Sequence, residues 1–207
     1  YSLPITTTQV VLGKYLALLV VYLIPLAIIS LYPLIFSQYG DVYLLTAYGS
    51  ILAFFILGAA LIALGVFISS LTENQGFAAG IGIAVILLNY YSVSLSQSVS
   101  STAFGSLVAL AALIVALGFI IKHLTKNNPM VWTICIALYA AMLIAYWVDH
   151  TKFEGLLPII MTTLSLFERF YVFVNGVFDV TGIVYYLTVI VFFLFLSVQS
   201  LEKRRYN

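Results

Sequence analysis

Long stretches without a charged residue are the feature that most constrains this chain. A helix needs about 20 apolar residues, at a rise of 1.5 Å each, to cross about 30 Å of hydrocarbon. Four charge-free windows of about this length or longer lie at 15–40, 42–72, 127–148 and 180–201. Of the 207 residues, 64% are hydrophobic and 7% are charged, whereas an ordinary soluble domain has about 25% charged residues. The sequence therefore predicts an all-α, polytopic transmembrane helical bundle.

A fifth charge-free window, 74–121, is too long for one helix and contains the serine-rich stretch 92–102. We interpret it as two helices joined by a polar loop. The prediction is one transmembrane domain covering residues 1–207 with about six spans. Their approximate bounds are 12–36, 44–71, 76–91, 103–121, 129–147 and 181–200.

The segment 155–178 is apolar, but Glu168 and Arg169 divide it into two runs that are each too short to span. We predict two short extracellular helices here, either re-entrant or interfacial. The aromatic residues Phe167 and Phe170 flank the charged pair, so this amphipathic segment could lie in the headgroups or form an outer gate with Glu168 and Arg169. A true span at 155–178 is the alternative.

The distribution of basic residues predicts the orientation of the chain. With six spans, one face carries most of the basic residues, namely Lys14, Lys122, Lys126, Lys203, Arg204 and Arg205, and the other carries Lys152 and Arg169. Cytoplasmic loops are enriched in Lys and Arg, so the first face is predicted to be cytoplasmic and 201–207 to be a cytoplasmic tail. Tyr15 is predicted to anchor the inner membrane edge, and Tyr39 and Tyr43 the outer one.

No predicted span carries a charge at depth, which argues against an ion-coupled carrier or a voltage sensor and predicts an uncharged translocation path. His123 and His150 fall in opposite loops, and Cys135 lies in an apolar run, so the sequence offers neither a metal-ligand set nor a catalytic set. The net charge of +1 does not indicate a nucleic-acid partner.

Small residues recur every fourth position on two consecutive predicted helices. Ala59 and Ala63 share one face of the second span, and Gly76, Gly80 and Ala84 share one face of the third. This spacing lets membrane helices approach closely. The contact could form within the chain or between two subunits.

Three stretches together resemble one protein family. The opening LPITTTQVVLGKYL at 3–16 resembles the cytoplasmic coupling segment of type 2 ABC transporter permeases, in the branch of the gliding-motility permeases. Residues 58–75 resemble the next helix and cytoplasmic turn of that branch, and 167–205 its outer helices, last span and basic tail. The family pattern includes an elbow helix and two spans upstream, so an N-terminal part is expected to be missing.

The resemblance implies a permease subunit of an ATP-driven exporter in the bacterial cytoplasmic membrane. The segment 1–9 would dock on a separate ATP-binding subunit that holds ATP and magnesium, through Leu3, Pro4, Ile5, Thr6, Thr7, Thr8 and Gln9. A second contact would be the turn formed by Thr72, Glu73, Asn74 and Gln75. The permease would work as a dimer with a second copy or a paralogue.

Two other function classes remain open at this stage. One is a structural membrane subunit that anchors a larger envelope assembly without moving substrate. The other is an intramembrane enzyme, for which the sequence shows no nucleophile, base or ligand set. The substrate of an exporter is also open.

Overall fold

The structure is a computed structural model that describes residues 6–98, 101–124 and 128–205. In these ranges the chain is helical and has no strand. The α-helices are α1 (Thr7–Ser30), α2 (Tyr32–Phe36), α3 (Leu44–Leu71), α4 (Gln75–Ser98), α5 (Ala103–Leu124), α6 (Asn128–Val148), α7 (Leu156–Thr163), α8 (Leu166–Val174) and α9 (Val180–Arg205). One 3₁₀ turn, His150–Phe153, precedes α7.

Four helical stretches are long and apolar enough to cross a membrane, by length and composition. They are Thr7–Phe36, Leu44–Leu71, Gln75–Ser98 and Val180–Arg204. The short pair α7 and α8 would add a fifth if it were counted as one span. Shorter apolar stretches lie in α5 and α6. The described residues are therefore all-helical, with apolar helices compatible with a helical membrane protein, while the count of six spans stays a prediction.

One predicted boundary is wrong. The polar loop was predicted to begin at Ser92, but α4 continues to Ser98. The serine hydroxyls donate hydrogen bonds to carbonyl groups of their own helix. Ser92 Oγ donates to the carbonyl of Asn89 (2.7 Å) and Ser96 Oγ to that of Val93 (2.6 Å). A serine bonded to the preceding turn is compatible with a continuing helix, so the polar composition did not end it.

The chain divides into two compact units, the first formed by Tyr1–Leu88 with Leu166–Asn207 and the second by Asn89–Ser165. In the first unit, tyrosine hydroxyls donate hydrogen bonds across the contact between α1 and α3: Tyr15 to the carbonyl of Ala59 (3.3 Å), Tyr22 to that of Phe54 (2.8 Å) and Tyr48 to that of Ser30 (3.0 Å). As α1 is followed from its start, its partners on α3 move backwards, so the two helices are antiparallel.

Tyr15 differs from its prediction. It is only 7% exposed and bonds to the backbone of α3, so it joins two helices instead of anchoring the chain among the headgroups. Tyr39 and Tyr43, by contrast, are each 86% exposed.

Helix α9 runs parallel to α3 in the same unit. Near its start, Tyr186 is buried in a cluster with Leu57 and Ala60. Further along, the rings of Phe193 and Phe67 are 5.5 Å apart, and near its end Ser200 Oγ donates to the carbonyl of Ser70 (2.9 Å). The start of α1, the end of α3 and the end of α9 therefore share one end of the first unit, which we call the basic end after Lys14, Lys203 and Arg204.

Small residues allow the close packing of α3. Ala59 and Ala63 are buried, as their spacing suggested, together with Ala53 and Ala60. Gly58 lies so close to the ring of Tyr22 that a Cβ there would collide with it.

The second unit is built on a hairpin of α5 and α6. Tyr139 Oη donates to the carbonyl of Ala111 (2.8 Å), which repeats the tyrosine contact of the first unit. The hydroxyl of buried Ser106 accepts a hydrogen bond from the amide of Leu157 at the start of α7 (3.2 Å). Gly155, with φ of 70°, precedes α7 and donates its amide to the carbonyl of Ser101 (2.9 Å). These contacts fix α7 against α5.

Candidate functional site

The predicted coupling segment becomes the first turn of α1. Thr6 caps the helix: its hydroxyl accepts from the amide of Gln9 (3.3 Å), and the side chain of Gln9 accepts from the amide of Thr6 (3.0 Å). The reciprocal pair of Thr6 and Gln9 is a capping box, which satisfies two backbone amides at the start of the helix. Thr8 and Gln9 are exposed. Leu3, Pro4 and Ile5 lie outside the described residues.

The predicted second contact is a short capped turn between α3 and α4. Thr72 Oγ1 accepts from the amide of Asn74 (3.2 Å), and Asn74 Oδ1 accepts from the amide of Phe77 (3.1 Å). Asn74 is thus the N-cap of α4, Gln75 is its first residue, and the side chain of Glu73 is exposed. The turn presents its polar side chains away from the core.

Both predicted contact regions lie at the basic end of the first unit. A groove of about 530 Å³ lies near this end, lined on α1 by Val11 and Lys14, on α3 by Ser69 and Ser70, and on α9 by Leu201. The structure therefore brings together two segments that are more than 60 residues apart in the sequence. The start of the basic tail lies at the same end, since Leu201 lines this groove.

The predicted outer gate lies on α8, which packs along α3 in the opposite direction. Its last turn meets the beginning of α3, where Ser50 Oγ lies 3.5 Å from the carbonyl oxygen of Phe173. Phe170 and Phe54 are 6.0 Å apart between ring centroids. At its start, Leu166 is buried against Leu57, the middle of the 28-residue α3.

The position of α8 changes the prediction of an uncharged path. Glu168 and Arg169 are two and three residues after Leu166, so they lie beside the middle of α3. The predicted spans themselves carry no deep charge, but a neighbouring short helix brings two charged residues to that level. The sequence could not show this, because the depth of a short helix depends on what it packs against.

The predicted gate residues have different surroundings. Phe167 and Phe170 are partly buried against the cluster around Tyr186, whereas Glu168 is exposed. The Arg169 guanidinium lies over the ring of Tyr185, 5.4 Å from its centroid.

Sequence reasoning missed the two tyrosines that hold α8. The ring of Tyr185 lies under the guanidinium of Arg169, and Tyr186 Oη donates a hydrogen bond to the carbonyl of Leu166 (2.6 Å). The available signal was a tyrosine pair inside an apolar window, because a buried phenol needs a hydrogen-bond partner.

Among the described residues, no other helix packs closely against the small residues of α4. Gly76, Gly80 and Ala84 are exposed, and a Cβ at Gly80 would meet nothing within 4 Å. Of the two contacts left open by the spacing, the one within the chain is absent from the described residues. A contact with a second subunit stays a prediction.

Among the described residues, no group of three or more His, Cys, Asp or Glu side chains could hold a metal ion. Cys135 lines a cavity of about 300 Å³ between α5 and α6, together with Trp132 and Tyr139. Asp149, just after α6, accepts from the hydroxyl and the amide of Thr151. The hydroxyl bond, together with nearby Lys152, lowers the pKa of the Asp149 carboxyl.

Comparisons of the chain with protein-family models, with curated proteins and with solved structures found no match.

Proposed function

We propose that this chain is a membrane-spanning permease subunit of an ATP-driven exporter. It works with separate ATP-binding subunits, which hold ATP and magnesium, and with a second permease copy or a paralogue. Its place is the bacterial cytoplasmic membrane, with the start of α1 and the basic tail in the cytoplasm. The proposal rests first on the sequence resemblance of residues 3–16 to the coupling segment of type 2 ABC transporter permeases.

The observation that best supports the proposal is the shared basic end. An ATP-binding subunit that docked on the first turn of α1 would also reach the turn at Thr72–Gln75, because the start of α1 and the end of α3 lie at the same end of the unit, where Val11 and Ser70 line one groove. Two contacts on different helices let a closing partner tilt the helices as a body, which a single contact would not do.

The hydrogen bonds of the first unit suit such a transmission. Tyr15 and Tyr22 tie α1 to the backbone of α3, and Ser200 ties α9 to the end of α3. Hydrogen bonds between membrane helices contribute about 0.6 kcal/mol each on average. A force on the first turn of α1 would therefore move α3 and α9 with it.

The basic residues agree with the proposed orientation. Lys14, Lys203 and Arg204 lie toward the end of the first unit that would face the cytoplasm. Asp41 precedes α3, and Asp179 caps α9 through the amides of Thr181 (2.9 Å) and Gly182 (3.1 Å), both toward the opposite end. Basic residues on the cytoplasmic side are the usual arrangement.

The test measures how strongly ATP hydrolysis by the partner depends on the permease, using two variants that each introduce an arginine at an exposed position. The permease is purified in lipid nanodiscs with the ATP-binding protein encoded beside it, and ATP hydrolysis is measured for Thr8→Arg and for Gln38→Arg. Both positions are exposed, at opposite ends of α1 and α2, and neither variant removes the Thr6 cap. We expect Thr8→Arg to reduce the permease-dependent rate about tenfold, which equals about 1.4 kcal/mol, and Gln38→Arg to leave it unchanged.

The alternative function, a structural anchor, gives a different result in the same assay. An anchor would bind the partner, but the partner's ATP hydrolysis would not depend on the permease. Equal rates with wild type, Thr8→Arg and no permease would reject the exporter. Permease-dependent hydrolysis that Thr8→Arg leaves intact would reject the first turn of α1 as the docking site.

A further inference from the structure

Arg169 is a cation beside the middle of α3, a helix long and apolar enough to cross a membrane. α8 runs along α3 from Leu166, packed against Leu57, to Phe173, next to Ser50. Arg169 is one residue before Phe170, whose ring contacts Phe54. At a rise of about 1.5 Å per residue, Arg169 is within about 6 Å of the level of the α3 midpoint.

The guanidinium has an aromatic partner, and no described carboxylate pairs with it. It lies 5.4 Å from the centroid of Tyr185, and Arg169 is partly buried. Within the described ranges, no Asp or Glu oxygen comes within the 4.0 Å of a salt bridge to it. Glu168 is its immediate neighbour, but adjacent residues on a helix point about 100° apart.

A charged side chain at membrane depth is costly unless an anion or water accompanies it. The attraction between a cation and an aromatic ring offsets part of this cost, but not all of it. The hydrogen-bonding edge of a guanidinium stacked in this way remains available, and it matches a phosphate or a carboxylate in a bidentate geometry.

The phosphates of the bilayer lie about 15 Å from its midplane, at the edge of the hydrocarbon. With the middle of α3 placed at the midplane, as the proposed span implies, a resident lipid in its normal position does not bring its phosphate to the level of Arg169. An anion that reaches this level belongs to a molecule that has left the interface.

We propose that Arg169 and Tyr185 form a binding site for the anionic head group, a phosphate or a carboxylate, of an amphiphile that the chain exports. This proposal rests on the proposed export function and names its substrate class. Arg169 binds the anion, Tyr185 holds the guanidinium plane, and the surrounding apolar side chains of α8 and α9 accept the hydrocarbon part. Neutral amphiphiles lack the group that Arg169 recognises.

The experiment measures binding to the full chain in nanodiscs of phosphatidylcholine, without an ATP-binding subunit. Dodecyl phosphate, dodecanoate and dodecyl maltoside are titrated, and dissociation constants are obtained by native mass spectrometry. The variants are Arg169→Gln and Arg169→Lys, with Lys152→Gln as the matched control. Lys152 is a cation with an 80% exposed side chain, paired with Asp149 at 3.6 Å.

We expect at least one of the two anionic amphiphiles to bind wild type about tenfold more tightly than dodecyl maltoside. Arg169→Gln should remove that preference, and Lys152→Gln should match wild type. Arg169→Lys should retain part of the preference, because the ammonium keeps the positive charge but cannot form the two parallel hydrogen bonds of a guanidinium. The helical content of each variant is checked by circular dichroism. If Arg169→Gln does not fold, the comparison of Arg169→Lys with wild type still tests the proposal.

Several results would overturn the proposal. One is equal affinity for dodecyl maltoside and both anionic amphiphiles, and another is an unchanged preference in both Arg169 variants. A third arm replaces one fifth of the phosphatidylcholine by phosphatidylglycerol, and complete loss of the dodecyl phosphate signal there would assign the site to a resident lipid instead. Because ATP is absent throughout, these results are independent of the Thr8→Arg assay, which can fail or succeed separately.

Discussion

Helices α3 and α4 follow each other in the sequence, have similar lengths and carry the same spacing of small residues. The small residues of α3 are buried, however, whereas those of α4 are exposed. On α3, Ala59 and Ala63 are 5% and 0% exposed. On α4, Gly76, Gly80 and Ala84 are all exposed. Spacing of small residues therefore predicts that a close approach is allowed, and it does not predict that a partner is there.

The difference lies in the neighbours. Helix α3 is surrounded by α1, α8 and α9, and tyrosine hydroxyls from α1 and α9 bond to backbone carbonyls of the first unit. On α4, Ser92 and Ser96 bond to the helix's own carbonyls, and Asn89 Nδ2 donates to the carbonyl of Leu164 (3.1 Å). These bonds lie at 89–96, beyond the small residues, and a helix whose backbone bonds are satisfied internally can remain stable with such a face in lipid.

The difference between α3 and α4 is tested most strongly by replacing one small residue on each helix with a larger one. We expect Ala63→Leu to lower the free energy of unfolding by about 1 to 3 kcal/mol, because the extra methyl groups must displace packed neighbours. Ala84→Leu should change it by less than about 0.5 kcal/mol. Denaturant unfolding in bicelles would measure both.

Equal losses from Ala63→Leu and Ala84→Leu would mean that α4 is packed as tightly as α3. A loss from Ala84→Leu that appears only at high protein concentration would indicate the second-subunit contact that the sequence left open.

The beginnings of the two helices differ as well. Asn74 caps α4 through the amide of Phe77, whereas Tyr43 makes no side-chain cap bond at the start of α3. Asn74→Ala should cost about 1 kcal/mol of local stability, and Tyr43→Ala close to none. Amide hydrogen exchange at 76–78 and at 45–47 would report the two effects, and unchanged exchange in Asn74→Ala would refute the cap.

Removing one interhelical hydrogen bond should have a smaller effect. Tyr22→Phe keeps the ring over Gly58 and loses the bond to Phe54, so we expect a loss of about 0.6 kcal/mol. Tyr91→Phe on exposed α4 is the matched control and should show no loss beyond the error of the measurement. If the two variants have the same stability, the tyrosine bonds contribute nothing to the difference between the helices.

The smallest expected effect comes from pH. Neither α3 nor α4 contains an Asp or Glu, so the stability differences above should not change in acid. The turn at Asp149 should respond, because its carboxyl has a pKa below the usual 3.8, chiefly through the Thr151 hydroxyl. The stability that the ionised Asp149 carboxyl contributes to the turn is present when the pH is above the ordinary pKa of the carboxyl. It is lost as the pH falls through the lowered pKa of the folded state. Carbon NMR of the Asp149 carboxyl would show the midpoint, and Thr151→Val should raise it.

Much of the helical organisation could be predicted from the sequence. Charge-free windows located the apolar helices, and 155–178 does form two short helices, but the break falls at Leu164 and Ser165 and not at Glu168 and Arg169, which lie inside α8. For the candidate site, residues 6–9 and 72–75 could be proposed from the sequence, but not their proximity. Composition also misled at Ser92, because it cannot tell a serine that bonds to its own helix from one in a loop.

By itself, the sequence determined that long helices without charges form here, and such helices are compatible with a membrane because they satisfy their own backbone hydrogen bonds. Only the tertiary structure decided which apolar faces meet one another, that Tyr15 joins two helices, and that Arg169 lies at the level of the middle of α3. The physical reason is that burial in lipid depends on the residue type, whereas depth and packing depend on the side chains that other helices place alongside.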